Sequence, residues 1–298
     1  MPICRTEAIP GYPILEIDHP AVRARVALHG AHLMEWTPAG QAAGLYLSPD
    51  AVYQPGKPIR GGVPVCWPWF GPSAVDSSLP MHGFARIRFW EPGEFSEDET
   101  GVTLKFTLND DEETRRLWPH AFRLELTISL GATLRLALRM MNPGDAPYTI
   151  TGALHTYLTV GDIHQVTVSG LSGVDYLDTV GTPARHRQEG DLVFDREIDR
   201  GYDTASPITL HDPALQRDLI ITGTGSHSAV VWNPWIAKSR LLADLPGEAY
   251  LRFLCVETAN AREDSVTVPP GGMHELTTTI RVERLGESGS LHCLDRGE

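Results

Sequence analysis

Short runs rich in β-branched and aromatic residues, each closed by Gly, Pro, Asn or Asp, fill this chain and leave little room for helical periodicity. They recur at residues 22–28, 86–90, 102–108, 122–130, 133–140, 148–160, 219–222, 229–232, 250–257 and 275–282. Strands this short and frequent cannot each bury a face alone, so they must stack as a sandwich or close as a barrel. Residues 122–140 read as a hairpin about Gly131, and Asn142-Pro143-Gly144-Asp145 as a turn that launches a new strand. Residues 110–117 suit one or two helical turns. Neither a repeat nor a linker divides the sequence, so residues 1–298 are expected to form one all-β domain, with a loose tail from about residue 286.

A chain of 298 residues with 42% apolar and 21% charged residues can bury a large core. The net charge of −13 disfavours nucleic acid and anionic membranes as partners. A small anionic ligand stays open if arginines cluster locally. The four cysteines, Cys4, Cys66, Cys255 and Cys293, contain no Cys-x-x-Cys pair, and two lie in strongly apolar stretches. Isolated buried thiols fit a reducing compartment. The first residues lack a signal-peptide profile, and no apolar run is long enough to span a bilayer. A soluble, cytoplasmic protein is expected.

Four segments hold candidate chemistry. In residues 59–72, Arg60 precedes Gly61-Gly62, which would let backbone approach a ligand closely. Trp67, Trp69 and Phe70 follow among prolines, and their faces suit the C–H faces of a sugar ring. An aromatic core loop with a surface arginine is the plainer reading. In residues 79–86, His82 and Arg86 flank Gly83 at the start of an expected strand; a structural histidine and a solvated arginine are the alternative. In residues 151–158, period two places Thr151, Ala153, His155 and Tyr157 on one small polar face, like a cleft floor. A histidine hydrogen-bonded inside a sandwich would look the same.

In residues 230–260, Glu257 ends an almost unbroken apolar run. Burial there would raise its pKa and make it a better base near neutrality; alternatively the strand ends and Glu257 meets water. Lys238 nearby is expected to be solvated. A fifth piece, Glu197 to Tyr202, reads as a charged surface turn.

Taken together, these segments resemble the glucose-6-phosphate 1-epimerases, or hexose-6-phosphate mutarotases, a branch of the aldose 1-epimerase family. The resemblance rests on Arg60-Gly61-Gly62 with Cys66-Trp67-Pro68-Trp69-Phe70-Gly71, then His82-Gly83-Phe84-Ala85-Arg86. Ala153-Leu154-His155-Thr156-Tyr157-Leu158, Asp199-Arg200 before Tyr202, Trp232-Asn233-Pro234-Trp235 and Cys255-Val256-Glu257 complete it. Each motif is modest, but six in the family's order are hard to obtain by chance. The resemblance implies a galactose-mutarotase-like supersandwich of large antiparallel sheets. It implies His155 and Glu257 as the catalytic pair, Arg60 and Arg86 as substrate holders at the phosphate, and Asp199 as a substrate-binding aspartate; His82 and Trp69, from the motifs themselves, are expected to bind substrate as well. Two departures stand out: Met81 replaces a glutamine of some members, and Thr258-Ala259-Asn260 replaces the usual Pro-Gly.

Anomer exchange opens the ring and closes it on the other face. A base takes the anomeric hydroxyl proton, an acid protonates the ring oxygen, and the roles reverse for closure. Glu257 suits the base and a His155 imidazolium the acid. Neither a cofactor nor a metal is required. The expected partner is a small-molecule sugar phosphate, handled by a monomer. Three alternatives remain: an epimerase of unphosphorylated sugar, a non-catalytic sugar-phosphate sensor, and a glycoside hydrolase. The last needs two carboxylates, and only Glu257 is nominated.

Overall fold

The computed structural model describes residues 3–285, so the tail from residue 286 and Cys293 lie outside the described residues. The chain opens with a four-stranded antiparallel sheet, Ile3–Glu7, Pro13–His19, Val22–Ala27 and His32–Pro38, in sequence order. Two larger sheets follow. The nine-stranded one runs Leu192–Val193, Thr167–Ser169, Ile208–Asp212, Arg217–Thr224, Met273–Arg284, Thr133–Met141, Arg123–Gly131, Gly101–Asn109 and Glu91–Asp98. The eight-stranded one runs Ala184–Arg187, Asp175–Asp178, Ile198–Tyr202, Ser228–Asn233, Phe253–Asn260, Gly152–Leu154 and Val65–Cys66, with Tyr157–Thr159 also pairing with Phe253–Asn260. The all-β expectation holds.

Alternation explains how the large sheets stack. Leu124, Leu126, Ile128 and Leu130 are buried on one side of their strand, as are Leu134, Leu136, Leu138 and Met140 on the next. They share one core with Ile198, Tyr202, Val231, Leu254 and Val256 of the eight-stranded sheet. Each such side chain contributes about 1.5–3 kcal/mol of burial. The opposite face of the eight-stranded sheet carries Asp199, Gly201, Val230, Trp232, Cys255 and Glu257, and it floors the site described below.

The hairpin about Gly131 forms in the expected register, with Leu130 opposite Leu134. The short helix forms at Glu112–Leu117, where the Asp111 side chain and Thr114 cap each other's backbone amides. Four expectations need correction. Residues 86–90 are not a strand: Ala85–Ile87 is a 3-10 turn, and only Phe89 bridges to His29. Residues 148–160 form three strands, Tyr148–Ile150, Gly152–Leu154 and Tyr157–Thr159. Glu197 to Tyr202 is no surface turn, because Ile198–Tyr202 pairs on both sides and buries Arg200. Glu257 does not end its strand, which continues to Asn260. No helix among the described residues is long and apolar enough to cross a membrane.

Candidate active site

His155 sits in a gap between two strands that pair with the same neighbour. Leu154 lies opposite Thr258 and Tyr157 opposite Cys255, so the unbroken register sets His155 across from Glu257. Cross-strand neighbours of this kind meet through their side chains. Within the gap His155 N–H donates to Pro64 O, and the Thr156 hydroxyl folds back onto Leu154 O at 3.1 Å. Val256 N–H still donates to Thr156 O at 3.2 Å, so the pairing loosens at these two residues without losing register.

The result is a buried pair: His155 Nε2 lies 3.4 Å from Glu257 Oε1. Tyr157 stacks on the His155 ring at 4.9 Å, while Trp232 and His82 meet it edge-on at 5.9 and 5.8 Å. Both groups keep one buried polar atom, His155 Nδ1 and Glu257 Oε2, that bonds to no protein group among the described residues. Two buried polar atoms left unpaired at this pair suit the hydroxyls of a bound polyol, because a buried polar atom without a partner is costly.

Burial sets the electrostatics. It raises the Glu257 carboxyl well above the ordinary 4.5, with the Asp199 charge adding to it and Arg86 opposing. It lowers the His155 imidazole well below 6.5, helped by His82, Arg86 and Arg60. His82 is lowered to about 3, again chiefly by burial. Desolvation therefore favours the neutral imidazole over the imidazolium expected from the sequence as the acid.

The structure brings four other expected site residues into this neighbourhood and leaves Trp69 apart from them. His82 has φ +63°, unusual for a residue with a side chain. It is held by Gly71, whose N–H donates to His82 Nδ1 while the His82 N–H donates to Gly71 O. Gly83 beside it is obligatory, since a Cβ there would lie 2.0 Å from Trp67 O. Arg86 leaves the 3-10 turn and donates from Nη2 to Met81 O at 2.7 Å. Met81, where the polar contact of some relatives is missing, thus serves through its carbonyl. Arg60 donates from Nε to Asp244 Oδ1 at 3.1 Å and from Nη1 to the Tyr157 hydroxyl at 3.0 Å. Asp199, raised by burial, has Lys238 Nζ 3.7 Å from Oδ2. Trp69 stands apart from these contacts: its indole donates to Pro80 O and its ring meets Phe84 edge-on.

Two further corrections concern residues beside the site. Gly61 and Gly62 do not serve ligand approach. A Cβ at Gly61 would lie 2.4 Å from Tyr46 O, and one at Gly62 would lie 2.2 Å from Leu33 O. They let the Arg60 loop press onto neighbouring backbone, and His32 Nε2 fixes Gly61 O at 2.8 Å. Lys238 is not simply solvated: it pairs with Glu197 at 3.0 Å and lies over Trp232 at 5.9 Å. The departure at Thr258-Ala259-Asn260 also has a cause. These residues pair with Gly152–Leu154, and a proline there would remove a ladder donor.

Tyr157, Trp232 and Asp244 line or brace the site; they lie in the candidate segments but were assigned no role from the sequence. Tyr157 carried a signal, standing two residues beyond His155 on the same expected face.

A family model described as aldose 1-epimerase matches residues 13–281. A protein of Escherichia coli (strain K12) named "Putative glucose-6-phosphate 1-epimerase" is 40% identical over 95% of each chain. One of the same name from Cenchrus ciliaris is 36% identical over 83% of this chain and 78% of its own. The crystal structure of a "putative mutarotase (YeaD)" from Salmonella typhimurium superposes with a TM-score of 0.89 at 36% identity, covering 95% of this chain and 94% of that one. A galactose mutarotase-like protein from Lactobacillus casei shares the fold, with a TM-score of 0.71 at 14% identity over 91% of this chain and 100% of its own.

Proposed function

We propose, from the premise that this chain belongs to the aldose 1-epimerase family, that it interconverts the α and β anomers of a hexose 6-phosphate, glucose 6-phosphate foremost. The observation that carries the chemistry is the buried His155–Glu257 pair at 3.4 Å. The phosphorylated substrate is suggested by relatives named for glucose 6-phosphate. Arginines gathered about the pair, in a protein of net charge −13, agree with an anionic ligand. Arg60, Arg86, His82 and Asp199 hold the sugar in this reading.

Glu257 takes the anomeric hydroxyl proton while His155 delivers one to the ring oxygen and the C1–O5 bond breaks. Rotation about C1–C2 presents the other face of the aldehyde. Glu257 then returns its proton to the carbonyl oxygen as His155 recovers one from the attacking hydroxyl. The pair carries one proton throughout and behaves as a unit. Burial favours neutral Glu257 and neutral His155, which is the distribution left after ring opening. Transfer across the pair gives the carboxylate–imidazolium form that attacks the closed ring.

This arrangement fixes a pH profile. A second proton must enter an imidazole lowered below 6.5, so the acid limb of kcat/KM lies below that value. The alkaline limb reports loss of the single shared proton, and it lies well above the ordinary carboxyl value of 4.5 because Glu257 is raised. Anomer exchange of glucose 6-phosphate followed across pH tests this. Activity should not fall between pH 7 and 6.5, and an acid limb with its midpoint at or above 6.5 contradicts the paired mechanism.

A further inference from the structure

Arg262 lies two residues beyond the end of the Glu257 strand. Its backbone adopts φ +59°, a conformation uncommon outside glycine. Its side chain returns over the eight-stranded sheet. A Cβ at Gly201 would lie 1.5 Å from Arg262 Nη1 and 2.6 Å from its Cζ, so the guanidinium rests on bare backbone at that glycine. Gly201 stands opposite Val230, and Val230 opposite Glu257. The guanidinium is therefore two strand spacings from the catalytic carboxylate, roughly 10 Å. Asp199 is two residues away on the same face of the same strand. A pyranose bound with its anomeric carbon at Glu257 would extend its exocyclic arm over such a distance.

Two of the other cations around the site are already paired with carboxylates. Arg60 is matched by Asp244, and Lys238 by Glu197 and Asp199. Arg86 donates from Nη2 to Met81 O and its charge bears on Glu257, while its buried Nε meets no protein group among the described residues. Arg262 makes no hydrogen bond and no ion pair among the described residues. Its acidic neighbours are Asp199 and Glu263, and Glu263 is held by Arg185 at 2.8 Å.

We propose that Arg262 is a specificity-determining residue that takes the phosphate of the substrate. The proposal rests on the reading of the protein as a hexose 6-phosphate epimerase. The planar fork of a guanidinium matches phosphate oxygens two at a time, and at Arg262 no ion pair has to be broken first. Gly201 is then required because any side chain there would displace the fork.

The test compares wild type, Arg262→Ala, Arg262→Lys and Gly201→Ala on glucose 6-phosphate and on glucose. Inorganic phosphate serves as a competing probe. Arg262→Ala should lower kcat/KM for glucose 6-phosphate by about ten- to a hundredfold, through KM rather than kcat, and leave glucose turnover unchanged. Inhibition of glucose turnover by inorganic phosphate should weaken in parallel. Arg262→Lys should recover part of the loss, and Gly201→Ala should reproduce it with the arginine still present. If wild type prefers glucose 6-phosphate and Arg262→Ala keeps that preference, or lowers both sugars alike, the assignment of Arg262 is overturned while the epimerase reading stands. A wild type with no preference for the phosphorylated sugar overturns both.

Discussion

Glu257→Gln and His155→Ala are each expected to lower kcat/KM for anomer exchange by about a hundredfold or more, the scale of a lost general base or acid. The two variants should differ in stability, and that difference separates chemistry from folding. Burial raises the folded-state pKa of Glu257 above its unfolded value. The stability linked to that proton is fully present below about pH 4.5, the ordinary carboxyl value, and is lost as pH rises through the folded pKa. Glutamine has the same shape and cannot ionise, so Glu257→Gln should match or exceed the wild-type Tm at neutral pH while being nearly inactive. His155→Ala removes a ring stacked at 4.9 Å on Tyr157 and should lower Tm modestly. Thermal melts beside the exchange assay decide the matter. Near-normal turnover in either variant contradicts the assignment of the pair.

Arg86→Ala should lower kcat/KM for glucose 6-phosphate by about ten- to a hundredfold, the cost of a lost charge-assisted contact. It should also move the pH profile. The guanidinium opposes the upward displacement of the Glu257 carboxyl and helps hold His155 neutral. Without it Glu257 keeps its proton to higher pH and His155 accepts a second one more readily. Both limbs should therefore shift upward. Arg86→Lys restores a positive charge and should return the limbs towards their wild-type positions. A profile unchanged in shape, with activity lost in proportion to thermal stability, would leave Arg86 a purely structural role.

The fold class was readable because the strands announce themselves by alternation. Leu124 to Leu130 and Leu134 to Met140 bury every second residue, as their sequence requires. The misread stretches are those where side-chain bonding or loop packing overrides the pattern. Residues 148–160 look like one long strand, yet regular pairing lapses at His155 and Thr156, where the His155 N–H turns to Pro64 O and the Thr156 hydroxyl folds onto Leu154 O. Residues 86–90 are apolar enough for a strand, but the Trp90 indole donates back to Ala85 O and the Ile87 N–H to Phe84 O, which curls the segment.

Single residues of the site were nominated from their surroundings, whereas their mutual placement was not legible. Nothing in the spacing of His155 and Glu257 says that they face each other; the register of the Phe253–Asn260 strand does. Arg60 was visible beside its glycines, but its partner Asp244 is 184 positions away. Gly61 and Gly62 were noticed for the wrong reason, because the close approach they allow is to neighbouring backbone. Arg262 follows its strand with no motif around it, and only the clash at Gly201 reveals where its side chain goes.

The central claim is that the His155–Glu257 pair exchanges sugar anomers. Freshly dissolved α-glucose 6-phosphate is mixed with the purified protein, and the approach to anomeric equilibrium is followed by NMR exchange spectroscopy. The account predicts equilibration accelerated in proportion to enzyme concentration, and acceleration abolished in Glu257→Gln at equal folded protein. Binding of the sugar phosphate without any acceleration over buffer would contradict it and leave a sensor in place of an enzyme.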